Sequence, residues 1–85
     1  MKKDLKKVTE NEDTRLLISL GEKIQKLRLE KKMTQLELAR ECDLDKQTIY
    51  RIEKGQLNIT LNTLFKIADA LDVVATSLIT STKKQ

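Results

Sequence analysis

The chain has 85 residues, with 17 Lys and Arg against 13 Asp and Glu, a formal net charge of +4, one Cys, and no His or Pro. A chain this short makes one small domain with a modest core that self-association would help. A lone cysteine excludes an intrachain disulfide and, without His, argues against a zinc site; no signal peptide or membrane-length apolar run is present, so a cytoplasmic protein without cofactors is expected.

Residues 1–13, MKKDLKKVTENED, alternate Lys with acids and offer little apolar surface, which reads as a disordered or frayed charged arm. Lys2, Lys3, Lys6 and Lys7 are cancelled by Asp4, Glu10, Glu12 and Asp13, which argues against an arm that tracks nucleic acid. From Asp13 or Thr14 to Lys32 the pattern is a long helix, with Leu17, Leu20, Ile24 and Leu27 at spacings of three and four. Leu16 and Ile18 lie outside that stripe, so the first turns should pack on a partner or on the C-terminal segment. The segment 14–32 is basic, with Arg15, Lys23, Lys26, Arg28, Lys31 and Lys32 against Glu22 and Glu30. Its cationic end suits the negative pole of a helix dipole.

The stretch from Met33 to Gly55, MTQLELARECDLDKQTIYRIEKG, organises the rest. Thr34 followed by Glu37 spells a capping box, with apolar Met33 and Leu38 flanking it as a staple. Leu44-Asp45-Lys46-Gln47-Thr48-Ile49 repeats the device. Two helix starts about a dozen residues apart leave room for a helix of roughly two turns and a tight turn, the spacing of a helix-turn-helix. In the second helix Ile49 and Ile52 share one side with Leu44, while Gln47, Tyr50, Arg51 and Lys54 form a polar stripe on the other, with Lys46 near its start. That stripe holds donors and no acid. Arg and Lys donate to guanine, Gln pairs with adenine, and Tyr reaches a phosphate or a thymine methyl. A solvated helix face is the bland reading of the same stripe. The whole stretch is nearly neutral, with Arg40, Lys46, Arg51 and Lys54 against Glu37, Glu41, Asp43, Asp45 and Glu53. Attraction for phosphate must therefore come from where charges sit, with Lys26, Lys31, Lys32 and Lys54 as candidates.

Cys42 precedes the turn as a small apolar position, and a buried, inert thiol is expected. Gly55 stands where a residue with positive φ stops a helix. Gln56-Leu57-Asn58 is a loop in which Asn58 could bind phosphate or cap the loop. Ile59-Thr60 with Leu64 repeats the staple and cap, opening a helix over 61–71 expected to present Leu61, Leu64, Phe65, Ile67, Ala68 and Leu71 to the core. Residues 73–79, VVATSLI, are rich in β-branched side chains, so the last element is open between a short helix, which is favoured, and a strand. Val74, Leu78 and Ile79 are too apolar for a solvated tail and are expected at a two-fold dimer contact. The domain proper is expected over 14–80, and 81–85 as a disordered tail.

Four blocks in order, LGEKIQKLR (20–28), MTQLELA (33–39), TIYRIEKG (48–55) and LFKIADAL (64–71), resemble the DNA-binding domain of the phage Cro/repressor (XRE-type) helix-turn-helix family from Leu20 to Val73. The resemblance implies an all-α, compact five-helix, lambda-repressor-like fold. It implies that Gln35 contacts the DNA backbone, that Lys46, Gln47 and Arg51 face bases, and that Arg28 meets Glu53 in an ion pair tying the first helix to the recognition helix. Thr48 and Tyr50 would assist base reading, and Lys54 with Asn58 would hold phosphate. Two positions depart from the family pattern: Asp43 and Lys32 stand where Gly is usual, and Asp is the better suited of these to a left-handed turn.

The function expected is that of a sequence-specific, double-stranded DNA-binding transcriptional regulator, a repressor on a palindromic operator acting as a homodimer. An antitoxin-type interaction module that sequesters a toxin protein is the alternative. An enzyme is a poor reading, since the sequence offers no nucleophile–base pair, metal-ligand cluster or phosphate loop.

Overall fold

Three helix starts obey one local code. Thr34, Asp45 and Thr60 hold extended backbone, and each side chain accepts from the amide three residues on: Glu37 N at 3.0 Å, Thr48 N at 2.7 Å and Thr63 N at 3.1 Å. At the first of them Glu37 Oε1 also accepts from Thr34 N at 2.8 Å, closing the capping box. In the computed structural model, which describes the backbone of residues 2–79 and the side chains of residues 14–79, these caps open α2 (Gln35–Glu41), α3 (Lys46–Glu53) and α4 (Leu61–Ala70). α1 (Lys2–Glu30) precedes them and α5 (Ala75–Ile79) follows, so the described residues are all-helical and the last element is a helix, not a strand.

α1 starts well before the boundary expected near Thr14 and takes in the stretch read as an arm. The segment contains no Pro, and its first Gly is Gly21; the Lys, Leu and Glu that fill it are good helix formers. The tail expected over 81–85 lies outside the described residues.

The helix ends are as uniform as the starts. α1 closes with Met33 N to Arg28 O (3.1 Å) and Lys32 N to Leu29 O (2.9 Å); α2 with Leu44 N to Ala39 O (2.8 Å) and Asp43 N to Arg40 O (3.2 Å). α3 and α4 repeat the pair through Gln56 N to Arg51 O (2.9 Å) and Val73 N to Ala68 O (3.0 Å), with the inner bonds from Gly55 and Asp72. These are Schellman closures, each turning on a left-handed residue: Lys32 (φ 58), Asp43 (φ 59), Gly55 (φ 71) and Asp72 (φ 60). Lys32 and Asp43 thus adopt the backbone that glycine would favour. The conformation costs a non-glycine residue about 1–2 kcal/mol. Met33, Leu44 and Val73, each just beyond a turn, pack against the core and offset that cost.

The core gathers Leu20 and Ile24 of α1, Leu38, Ala39 and Cys42 of the α2 region, Ile49 and Ile52 of α3, Leu64, Ile67, Ala68 and Leu71 of the α4 region, and Leu78 of α5. Eight residues are too few for α3 to persist as a helix alone. Burying Ile49 and Ile52, at about 1.5–3 kcal/mol each, stabilises it and fixes which face points outward.

Three apolar expectations are corrected. Leu61 and Phe65 are 68% and 57% exposed and do not join the core. At about 100° per residue, Leu64, Ile67, Ala68 and Leu71 centre the buried stripe, and Phe65 falls roughly 110° away from it. Leu78, expected at a dimer contact, is 2% exposed and fills the subunit's own core, because α5 lies across α1 and α4. Ile18, 42% exposed, lies against Gly55 at the end of α3.

Candidate nucleic-acid interface

The site is built on the outer face of α3. Lys46, Gln47, Tyr50, Arg51 and Lys54 are all exposed, Thr48 is half-buried, and Ile49, Ile52 and Glu53 are buried behind them. The Lys54 ammonium sits 5.7 Å from the centre of the Tyr50 ring, close enough for a cation–π contact that gathers the two onto one patch. Asp45, at the start of the helix, spends its carboxylate on the cap: the Thr48 hydrogen bond holds its pKa below the ordinary value, with Arg51 contributing in the same direction.

The acids of the Met33–Gly55 stretch are divided: Glu37, Glu41, Asp43 and Asp45 are exposed, and Glu53, the one acid within α3, is buried. Glu53 is 5% exposed and turned inward, Glu37 is bound into its capping box and Asp45 into its own cap. The basic residues Arg40, Lys46, Arg51 and Lys54 all remain exposed. On α3 itself the exposed charges are therefore Lys46 and Arg51, joined by Lys54 at its C-cap, while its one acid is turned inward. A grouped positive surface of this kind is what attracts a phosphate backbone.

Behind that face lies a buried polar joint. Arg28 Nε donates to Glu53 Oε2 at 2.6 Å and Arg28 Nη2 to Oε1 at 3.1 Å, a bidentate pair between α1 and α3. Arg28 Nη1 also donates to Met33 O at 2.7 Å, just ahead of the α2 cap. The half-buried Gln35, first residue of α2, donates from Nε2 to Glu53 Oε1 at 3.0 Å. One carboxylate thereby joins three helices. Gln35 is thus tied into the molecule, while Asn58 is exposed on the loop after α3, and Lys26, Lys31 and Lys32 are exposed along and just after the last turns of α1.

Gly21 has a role of its own that the apolar spacing of α1 did not single out. A Cβ there would fall on the carbonyl oxygens of Ile52 and Glu53, 2.6 Å from the latter, so glycine lets α1 lie directly against the end of α3. Its signal was an isolated Gly inside an otherwise helical pattern. Cys42 is 1% exposed, and burial, assisted by Glu41, pushes its thiol up to about 11. It stays a protonated core side chain at neutral pH.

The sequence matches the helix-turn-helix family HTH_3 over residues 24–77, which takes in the whole motif, α4 and the start of α5. The chain belongs to the HTH_3 (XRE-type) helix-turn-helix family. As a member of it, the protein is a DNA-binding transcription regulator. It is 44% identical over 54 residues to the control protein C.BamHI of Bacillus amyloliquefaciens, covering 62% of this chain and 67% of that one. The immunity repressor of Bacillus phage phi105 is 31% identical over 62 residues; the match covers 73% of this chain and 43% of the repressor's length. Among solved structures, the restriction-modification controller protein C.AhdI from Aeromonas hydrophila superposes with a TM-score of 0.74 at 32% identity, covering 76% of this chain and 94% of that one.

Proposed function

We propose that this HTH_3 member is a repressor- or controller-type regulator that binds a palindromic operator as a homodimer in the cytoplasm, and that it is a binding protein rather than an enzyme. The observation that carries this is the division of α3: Lys46, Gln47, Tyr50 and Arg51 are exposed, and Ile49, Ile52 and its acid Glu53 are buried. The names of its relatives, two control proteins and one repressor, support the same class.

In this reading α3 enters the major groove, with Lys46, Gln47 and Arg51 choosing bases, Thr48 and Tyr50 assisting, and Gln35, Lys54 and Asn58 holding phosphate. The second subunit places its α3 about 34 Å along the duplex. Of the residues expected at the two-fold contact, Val74 and Ile79 are 70% and 55% exposed, and we place Leu61 and Phe65 beside them in the part lost by the buried Leu78. An apolar surface of this kind is costly to leave in water and suits a symmetric contact.

Selection of bound fragments from random duplex DNA tests the reading, because recovered sites report half-site spacing and base choice together. Arg51→Ala should narrow the gap between operator and random DNA by about 1–3 kcal/mol, whereas Lys54→Ala should weaken both alike and lower the salt slope by about one contact. A selection that returns no shared sequence would refute the operator assignment. Recovery of a toxin on the Leu61–Phe65 surface, with DNA binding secondary, would instead favour the antitoxin-type alternative.

A further inference from the structure

Glu53 has more partners than an ion pair needs. Arg28 already meets both carboxylate oxygens, at 2.6 and 3.1 Å, and the Gln35 amide adds a third bond to Oε1 at 3.0 Å. Gln35 opens α2 with a half-buried side chain, and its amide ends next to the last residue of α3, one position before the exposed Lys54.

A primary amide carries two N–H bonds on one side and a carbonyl on the other. Turned the other way, its carbonyl would face the Glu53 carboxylate, acceptor against acceptor. The buried acid therefore fixes the orientation of the amide, spending one N–H inward and leaving the second N–H for an acceptor outside the protein. We infer that Glu53 is a positioning residue for backbone recognition: through Gln35 it presents an amide donor to one DNA phosphate oxygen, so the Arg28–Glu53 joint sets a DNA contact as well as a helix angle. The inference rests on the reading that α3 meets duplex DNA. A glutamine side chain held beforehand loses less conformational freedom on binding than a free one, and so gives more affinity from the same bond.

The test is a double-mutant cycle on binding to a random-sequence duplex, followed by fluorescence anisotropy at a temperature where circular dichroism shows every variant folded. Gln35→Met keeps the length and removes the donor without disturbing the Arg28–Glu53 pair. It should weaken binding about tenfold, the scale of one hydrogen bond to a charged group. Its salt slope should not change, because a neutral amide releases no counterion. Glu53→Asp keeps a charge opposite Arg28 but withdraws the acceptor by one methylene. It should weaken binding when Gln35 is present and cost nothing more in the Gln35→Met background. The wild-type protein supplies a second measurement that needs no Glu53 variant to fold. In its NMR spectrum the Gln35 side-chain amide protons should shift and become protected from exchange when duplex is added.

Unchanged affinity in Gln35→Met, a Glu53→Asp loss that persists without Gln35, or amide protons indifferent to duplex would each overturn the inference while leaving DNA binding intact. Failure of the wild-type protein to bind any duplex would overturn the DNA reading itself.

Discussion

The two ends of this molecule are held together by different kinds of force. Where α1, α2 and α3 meet, a buried carboxylate, a guanidinium and an amide fix directions through bonds of 2.6–3.1 Å, and two glycines let backbones touch. Where α4 and α5 meet, the buried side chains are those of the apolar core, Leu64, Ala68, Leu71 and Leu78, and Leu61, Phe65, Val74 and Ile79 stay in solvent. Hydrophobic contact is non-directional, so it suits the contact with a second copy proposed above. Hydrogen-bonded charge is directional, so it suits the joint that aims a reading helix. In the proposed function, orientation belongs to the first end and association to the second.

The largest way to break that contrast is Glu53→Ala. It leaves Arg28 buried without its counter-charge and should cost about 3–5 kcal/mol in urea unfolding. A loss below about 1 kcal/mol, the scale of an exposed ion pair, would mean the joint is not what holds α3. Next in size is Gly21→Ala. Its methyl would overlap the Ile52 and Glu53 carbonyls, and overpacking of that kind costs about 1–3 kcal/mol. Because the overlap lies at the end of α3, the loss should come with weaker duplex binding at temperatures where the variant remains folded. Stability equal to wild type would show that α1 can slide away without consequence.

The smallest expected change in stability is the one that sharpens the comparison from the other side. Phe65→Ser should alter the stability of a folded subunit by no more than about 0.5 kcal/mol, as for other exposed positions, while lowering the dimer fraction in sedimentation. Operator affinity should fall with it and single-site, non-specific binding should not. A variant as dimeric as wild type would remove Phe65 from the contact.

Much of this was legible in the chain because it is local. Thr34 with Glu37, Asp45 and Thr60 write their caps within four residues, and the spacing of Ile49 and Ile52 settles which side of α3 is hidden. The left-handed turn at Gly55 has the same local origin, and those at Lys32, Asp43 and Asp72 show the closure can be imposed without glycine. Sequence periodicity was least informative at Leu61, Phe65 and Leu78, where an apolar side chain has two possible destinations and the pattern along one helix cannot choose between them.

The sequence alone therefore determined where α2, α3 and α4 begin and the polar stripe of α3, since capping and helical period act over a few residues. Tertiary structure alone decided that Glu53, expected opposite Arg28 and found there, also takes the Gln35 amide, that Gly21 seats α1 against α3, and that Leu78 rather than Phe65 fills the core. Those outcomes depend on how helices far apart in the chain cross, and a crossing is set by the summed packing of the whole core rather than by any one segment's residues.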